Sequence, residues 1–217
     1  MIEKLILIRH GETVHNVDRI AQGWNDSALS PRGEQQVAAL AARVAAMDVD
    51  AIYSSTLNRA LTTARAIAKL TKHEITTLDD LREMNYGGWE GQSFLDVRKN
   101  DEETYRRWID DGDVPCPNGE SHNDVRRRIE TAVATMDGRN VVAVSHGTAI
   151  RIAATALLQL PISAARHFAQ DNASVNIFLW RGDHFVLKLW NDTSHCSQSS
   201  VLSPRSSDEG PTRRSED

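Results

Sequence analysis

Cysteine is scarce in this chain. Its 217 residues hold two, Cys116 and Cys196, far apart and with no C-x-x-C spacing. That count argues against a disulfide framework or a thiolate metal site, and for two unrelated thiols in a reducing compartment. Long apolar runs are missing as well: stretches such as 5–8 and 141–144 fall far short of the ~20 residues that a membrane span needs. Arg9 and His10 interrupt the one apolar stretch near the start, so residues 1–10 lack the layout of a signal peptide. A cytoplasmic address is the expectation. Positive charge is in deficit, with 25 Lys and Arg against 30 Asp and Glu and a net charge of −5. Nucleic acid and anionic membranes are therefore not the expected partners. No internal repeat is visible.

What is present is an ordinary globular composition, 40% hydrophobic and 25% charged. A chain of this length buries roughly 70% of its unfolded surface, enough for a core without staples. Short apolar runs at Lys4–Arg9, Ala51–Ser55 and 141–145 read as buried parallel strands, and 74–78 as a weaker one. Segments 174–181 and 184–190, separated by Gly182-Asp183, read as a β-hairpin. Helices alternate with the strands. Ser30-Pro31 supplies an N-cap and a first-turn proline for a helix reaching about Met47. Residues 57–70 carry an apolar helical stripe, 93–109 and 121–136 read as polar amphipathic helices, and 148–160 runs up to Pro161. The alternation predicts an α/β domain over 1–196, with a mainly parallel sheet covered on both faces and antiparallel strands at one side. Residues 197–217, with seven serines and seven charges, have little to bury and read as a disordered tail.

Two strands end in the same dipeptide, Arg9-His10-Gly11 and Ser145-His146-Gly147. In open α/β sheets ligands bind beyond the carboxyl ends of the strands. A glycine after each histidine allows close backbone approach. The helix that starts directly after Gly147 turns its free N–H groups toward His146, which makes an anion site. Arg9 adjoins the first pair, and Arg59 follows the second strand. Arginine forks match phosphate oxygens bidentately.

These residues carry a family resemblance. Residues 7–13 with Asn16 resemble the R-H-G-E/Q-T-x-x-N signature of the histidine phosphatase superfamily, the phosphoglycerate mutase-like proteins. Gln22-Gly23 and residues 26–33 are similar to the family's loop and L-S/T-x-x-G helix start. Residues 53–64 resemble S-D/P-L-x-R-A-x-Q/E-T-A. Leu81-Arg82-Glu83 with Gly87 and Trp89-Glu90-Gly91 resembles L-x-E-x-x-x-G-x-W/L-E/D-G, and 117–121 resembles the P-x-G-E-S turn. Val144-Ser145-His146-Gly147 completes the series, which spans residues 4 to about 192 in the correct order.

The resemblance implies a three-layer α/β/α sandwich and a phosphatase that needs no cofactor or metal. His10 would attack phosphorus, and Arg9, Arg59, His146 and Asn16 would meet the phosphoryl oxygens, with Gln22, Gly23 and Gly147 completing the phosphate site. Glu83 would protonate the leaving alkoxide, with a pKa raised by the phosphate beside it. The substrate would be a small phosphorylated metabolite, and the family leaves room for a homodimer. An alternative is a cofactor-dependent phosphoglycerate mutase. Similar mutases place a long basic insertion after the acid, whereas here 36 residues separate Glu83 from Glu120, and Met84-Asn85-Tyr86 departs from the mutases' Arg-His pair. A non-catalytic phosphate-binding module and a metal-dependent hydrolase are the remaining readings. His15 and His122 read as solvated loop histidines, and Trp24, Trp89 and Trp108 as packing residues. Arg126-Arg127-Arg128 reads as a solvated helix face.

Overall fold

The computed structural model describes residues 1–196. The segment 197–217, expected to be a tail, lies outside the described residues. Six strands form one sheet: β1 (Lys4–Arg9), β2 (Ala51–Ser55), β3 (Ile75–Leu78), β4 (Asn140–Ser145), β5 (Val175–Trp180) and β6 (Phe185–Asp192). Their order is β3-β2-β4-β1-β5-β6, parallel from β3 to β1 and antiparallel beyond. The last two strands are the expected hairpin, closed by Arg181 N–H donating to the His184 carbonyl across Gly182-Asp183. Gly182 has φ +102°, a conformation that glycine adopts without strain.

Both faces of the sheet are covered, which is why β1 and β4 are apolar between their end residues. Leu5, Leu7, Val141 and Ala143 pack with Val125 and Ile129 of α6 (His122–Thr135) and Ile150 and Ala153 of α7 (Gly147–Leu157). The alternate residues Ile6, Ile8, Val142 and Val144 pack on the other face with Leu40 and Val44 of α2 (Pro31–Ala45) and Ala60 and Ile67 of α3 (Asn58–Thr71). The fold is the expected α/β/α sandwich. A short α1 (Val14–Val17) precedes α2.

One expected element divides. Residues 93–109 form two helices, α4 (Phe94–Asn100) and α5 (Glu102–Asp110). Asp101, at φ −149° and ψ 75°, ends the first and caps the second, its carboxylate accepting from Thr104 N–H at 3.0 Å. Asparagine followed by aspartate competes with the helix for backbone hydrogen bonds, so the apolar periodicity continues while the helix breaks. Both cysteines are free, as expected; burial pushes the Cys116 thiol up to about 12. Among the described residues no helix is long and apolar enough to cross a membrane.

Candidate active site

The chain leaves β1 toward β2 and leaves β4 toward β5, so the sheet's topology switches between β1 and β4. Ligands collect at such a point. The parallel register pairs Arg9 with Ser145, which sets the next residues, His10 and His146, side by side. Their ring centroids lie 5.1 Å apart, and both are buried. His10 Nδ1 lies 2.7 Å from the Gly11 carbonyl, which can only accept. Nδ1 therefore carries the hydrogen, and in the neutral ring Nε2 keeps its lone pair. Burial, and then the charges of Arg59 and Arg9, hold the His10 pKa well below the ordinary imidazole value. Burial and Arg59 do the same to His146. His146 Nε2 lies 2.8 Å from Ser55 Oγ, while its Nδ1 has no partner among the described residues.

Two arginines stand beside the histidines. Arg9 donates through Nη1 to the Gln170 carbonyl, and its guanidinium packs over Gly147, where a Cβ would come within 3.3 Å of it. Arg59, 2% exposed, is clamped by the Gly23 carbonyl at 2.6 Å, the Asn25 carbonyl at 2.8 Å and Asp26 at 3.0 Å. Asp26 also accepts from Asn58 N–H at 2.7 Å, and so caps α3 from a distant loop. The Nε atoms of both arginines are buried without a partner among the described residues. Buried donors left unpaired are costly, and an anion would satisfy them.

Glu83 is 9% exposed and not a surface ion pair with Arg82, which bonds Asp79 and Thr56 instead. Its carboxylate accepts from Met84 N–H at 2.9 Å and, at the start of α7, from Thr148 N–H at 3.2 Å and Ala149 N–H at 3.0 Å. The helix N-terminus that was expected to serve an external anion thus first holds this side chain.

A cavity of about 200 Å³ gathers Arg9, His10, Asn16, Gln22, Gly23, Arg59, Glu83 and Gly147. Of the residues picked out in the sequence, His146 alone is absent from its wall; its ring lies 5.1 Å from that of His10. Asn16 Oδ1 is occupied by Thr13 N–H and by Asn172, leaving its Nδ2 hydrogens to offer. The wall also includes Tyr86, Phe94, Thr148, Arg151 and Gln170, none of which the sequence reading chose. Arg151 had a legible signal, since it stands one helical turn after Gly147 and so on the same face. Gln170 had none, because only the fold carries that loop to Arg9.

Three other expectations need correction. Arg128 is not solvated: it donates to both carboxylate oxygens of Glu120 and to the carbonyls of Asp80, Arg82 and Glu83. It is turned inward because α6 packs on the segment that carries Glu83. His122 is no solvated loop residue either; it stacks on Trp108 at 4.7 Å, and burial lowers its pKa to about 4. Trp89 and Trp108 are buried as expected, but Trp24 is half-exposed, its N–H donating to the Glu83 carbonyl with Arg82 over its ring. Among the described residues no group of three His, Cys, Asp or Glu is placed to hold a metal ion.

Comparison with known proteins places this geometry in context. The model of the histidine phosphatase superfamily (branch 1) matches residues 5–193. A protein of Shigella boydii named "Probable phosphoglycerate mutase GpmB" is 34% identical over 203 residues, 88% of this chain and 94% of its own. A phosphoserine phosphatase from Entamoeba histolytica, solved with phosphoserine, is 32% identical, with a TM-score of 0.80 over 88% of this chain and 98% of its own. A mycobacterial glucosyl-3-phosphoglycerate phosphatase is 30% identical, with a TM-score of 0.78 over 87% and 98%.

Proposed function

This chain belongs to the histidine phosphatase superfamily, and on that footing we propose that it is a phosphomonoester phosphatase working through a phosphohistidine on His10. The observation that carries the reading is the His10 ring itself. Its Nδ1–H is tied to Gly11, its Nε2 keeps its lone pair, and it lies in a cavity with two arginines whose Nε donors lack partners among the described residues.

In the first step Nε2 attacks phosphorus, the bond from phosphorus to the ester oxygen breaks, and Glu83 gives its proton to the departing alkoxide. In the second, the oxygen of a water attacks phosphorus as its proton goes to Glu83, the phosphorus–nitrogen bond breaks with its electron pair returning to Nε2, and inorganic phosphate leaves with His10 restored. Covalent capture divides one difficult displacement into two easier ones. Arg9, Arg59 and the Asn16 amide line the cavity and meet the charge on the phosphoryl oxygens, held ready before the reaction begins; His146, outside that wall, stands against the His10 ring. Gln22, Gly23 and Gly147 shape the cradle. Arg9 and Arg59 are cations and repel a metal ion, so catalysis proceeds without one and survives exhaustive EDTA.

Rapid mixing with labelled substrate and an alkaline quench is expected to leave acid-labile phosphate on the protein, and none on a His10→Ala variant. Equal labelling of both would overturn the assignment. A mutase reading has the Shigella relative's name in its favour. Against it, Met84 is buried and the Asn85 carbonyl is taken by Glu120 N–H, so this segment offers no cation to a second phosphate. Release of inorganic phosphate without interconversion of phosphoglycerates separates the two.

A further inference from the structure

Beyond the phosphoryl cradle the cleft continues into a second cavity of about 260 Å³. The two share Tyr86, Phe94, Thr148 and Arg151, so a molecule anchored at His10 extends into the second. Its walls are aromatic. Trp108 of α5 stacks on Phe94 with centroids 6.0 Å apart and planes 11° apart, and on His122 at 4.7 Å. Tyr105, 5.8 Å from Trp108, extends this surface, and Ile109 and Ile162 add aliphatic wall. His122, whose pKa burial lowers to about 4, is neutral at pH 7 and presents a ring rather than a charge. One cation stands where the cavities join: Arg151 donates to Thr148 Oγ1 at 2.8 Å, and that hydroxyl also bonds Tyr86 Oη at 2.6 Å.

We infer that this second cavity receives the leaving alcohol, and that the alcohol carries a planar aromatic ring with a polar atom near Arg151, between ring and ester oxygen. The inference rests on the phosphatase reading and names the substrate class of that site. A seryl or glyceryl group is too small and too polar to cover these walls. A flat ring fills the space, packs against Phe94, Tyr105 and Trp108, and displaces water from an apolar surface. Arg151 meets the oxygen or nitrogen that such an alcohol carries on its linker. The charged pair at the mouth, Arg166 with Asp110 at 3.6 Å, leaves the outer end open to polar substituents.

The test compares 2-phenylethyl phosphate with ethyl phosphate, two alkyl esters whose leaving groups differ little in basicity. The expected preference in kcat/KM is about 10²-fold for the ring-bearing ester, the size that a hydrophobic pocket can supply. Trp108→Ala should reduce it about tenfold, read as the ratio of kcat/KM for the two esters. Because Trp108 is buried, Ser163→Trp is the second variant; it fills the cavity from the exposed rim and should cut the preference similarly. Calorimetric titration of both esters onto His10→Ala reads the same preference as a ratio of Kd values, without turnover. Equal kcat/KM and equal Kd for the two esters would overturn the subsite. A Kd preference without release of phosphate would uphold the subsite and sink the phosphatase reading instead.

Discussion

Arg128 stands outside the cavity, yet its loss should be felt there. A guanidinium has five N–H donors, and here all five are used: two on Glu120 at 2.8 and 3.0 Å, and three on the carbonyls of Asp80, Arg82 and Glu83 at 2.7–2.9 Å. Those carbonyls belong to the segment that carries Glu83. Arg128 therefore holds the backbone of that segment, while the first N–H groups of α7 hold the carboxylate. Arg128→Met deletes the fork while keeping much of the volume. At about 0.5–1.5 kcal/mol net per hydrogen bond, with water replacing some of them, the cost comes to roughly 2–4 kcal/mol. For a domain of this size that is a fall in Tm of about 5–15 °C. Misplacing a catalytic group by an ångström can cost about 10²-fold, so kcat on an alkyl phosphate should drop by about 10–100-fold. With p-nitrophenyl phosphate, whose leaving group needs no proton, the loss should be much smaller. Arg128→Lys has three donors and no fork, and should recover part of the stability but little of the alkyl turnover. Melting curves and kcat on both esters are the readouts. If Arg128→Met lowers Tm while kcat falls equally on both esters, or on neither, Arg128 does not position the acid.

Acid should destabilise the fold, since His10, His146 and His122 are all held neutral by burial. Below about pH 6.5 the unfolded chain binds protons that the native state refuses, so stability falls as pH falls, by up to about 1.4 kcal/mol per unit for each group. Urea midpoints at pH 7.5 and 5 measure this; with His122 lowered to about 4, His122→Gln should remove about 2 kcal/mol of the difference, and an unchanged difference would refute the cause. Gly147→Ala should separate stability from activity: the first turn of α7 loses nothing by alanine and can gain up to about 1 kcal/mol, whereas the new Cβ presses on the Arg9 guanidinium at 3.3 Å. KM for a phosphomonoester should rise several-fold at unchanged or higher Tm, and an unaltered KM would show that Arg9 does not grip the phosphoryl group. A chain ending at Cys196 should keep the Tm and turnover of the full chain, because the family match ends at residue 193; a large loss in either would show that residues 197–217 are part of the working domain.

Local chemistry was legible in the residues alone. Continuous apolar runs bounded by charge marked β1, β2 and β4, because strands covered on both faces need no polar side. Ser30-Pro31 marked the start of α2, because a side-chain cap and a fixed φ act within one turn. His10, His146, Arg9 and Arg59 could be named because glycine-flanked histidines at strand ends and their arginine partners are features of short segments, whereas Glu83 was named only through the family resemblance of residues 81–91. Tertiary structure decided what depends on which segments meet. Inserting β4 between β1 and β2 set His10 against His146, and no local pattern encodes that neighbour. The same packing turned Arg128 from a surface charge into a clamp on the Glu83 segment. It also stacked His122 on Trp108, residues of two different helices, as adjoining parts of one cavity wall. The sequence pattern shows which side of a helix is apolar, through a periodicity that repeats every few residues. It does not show what that side meets, because the contact lies many residues away along the chain and is settled only when the layers close.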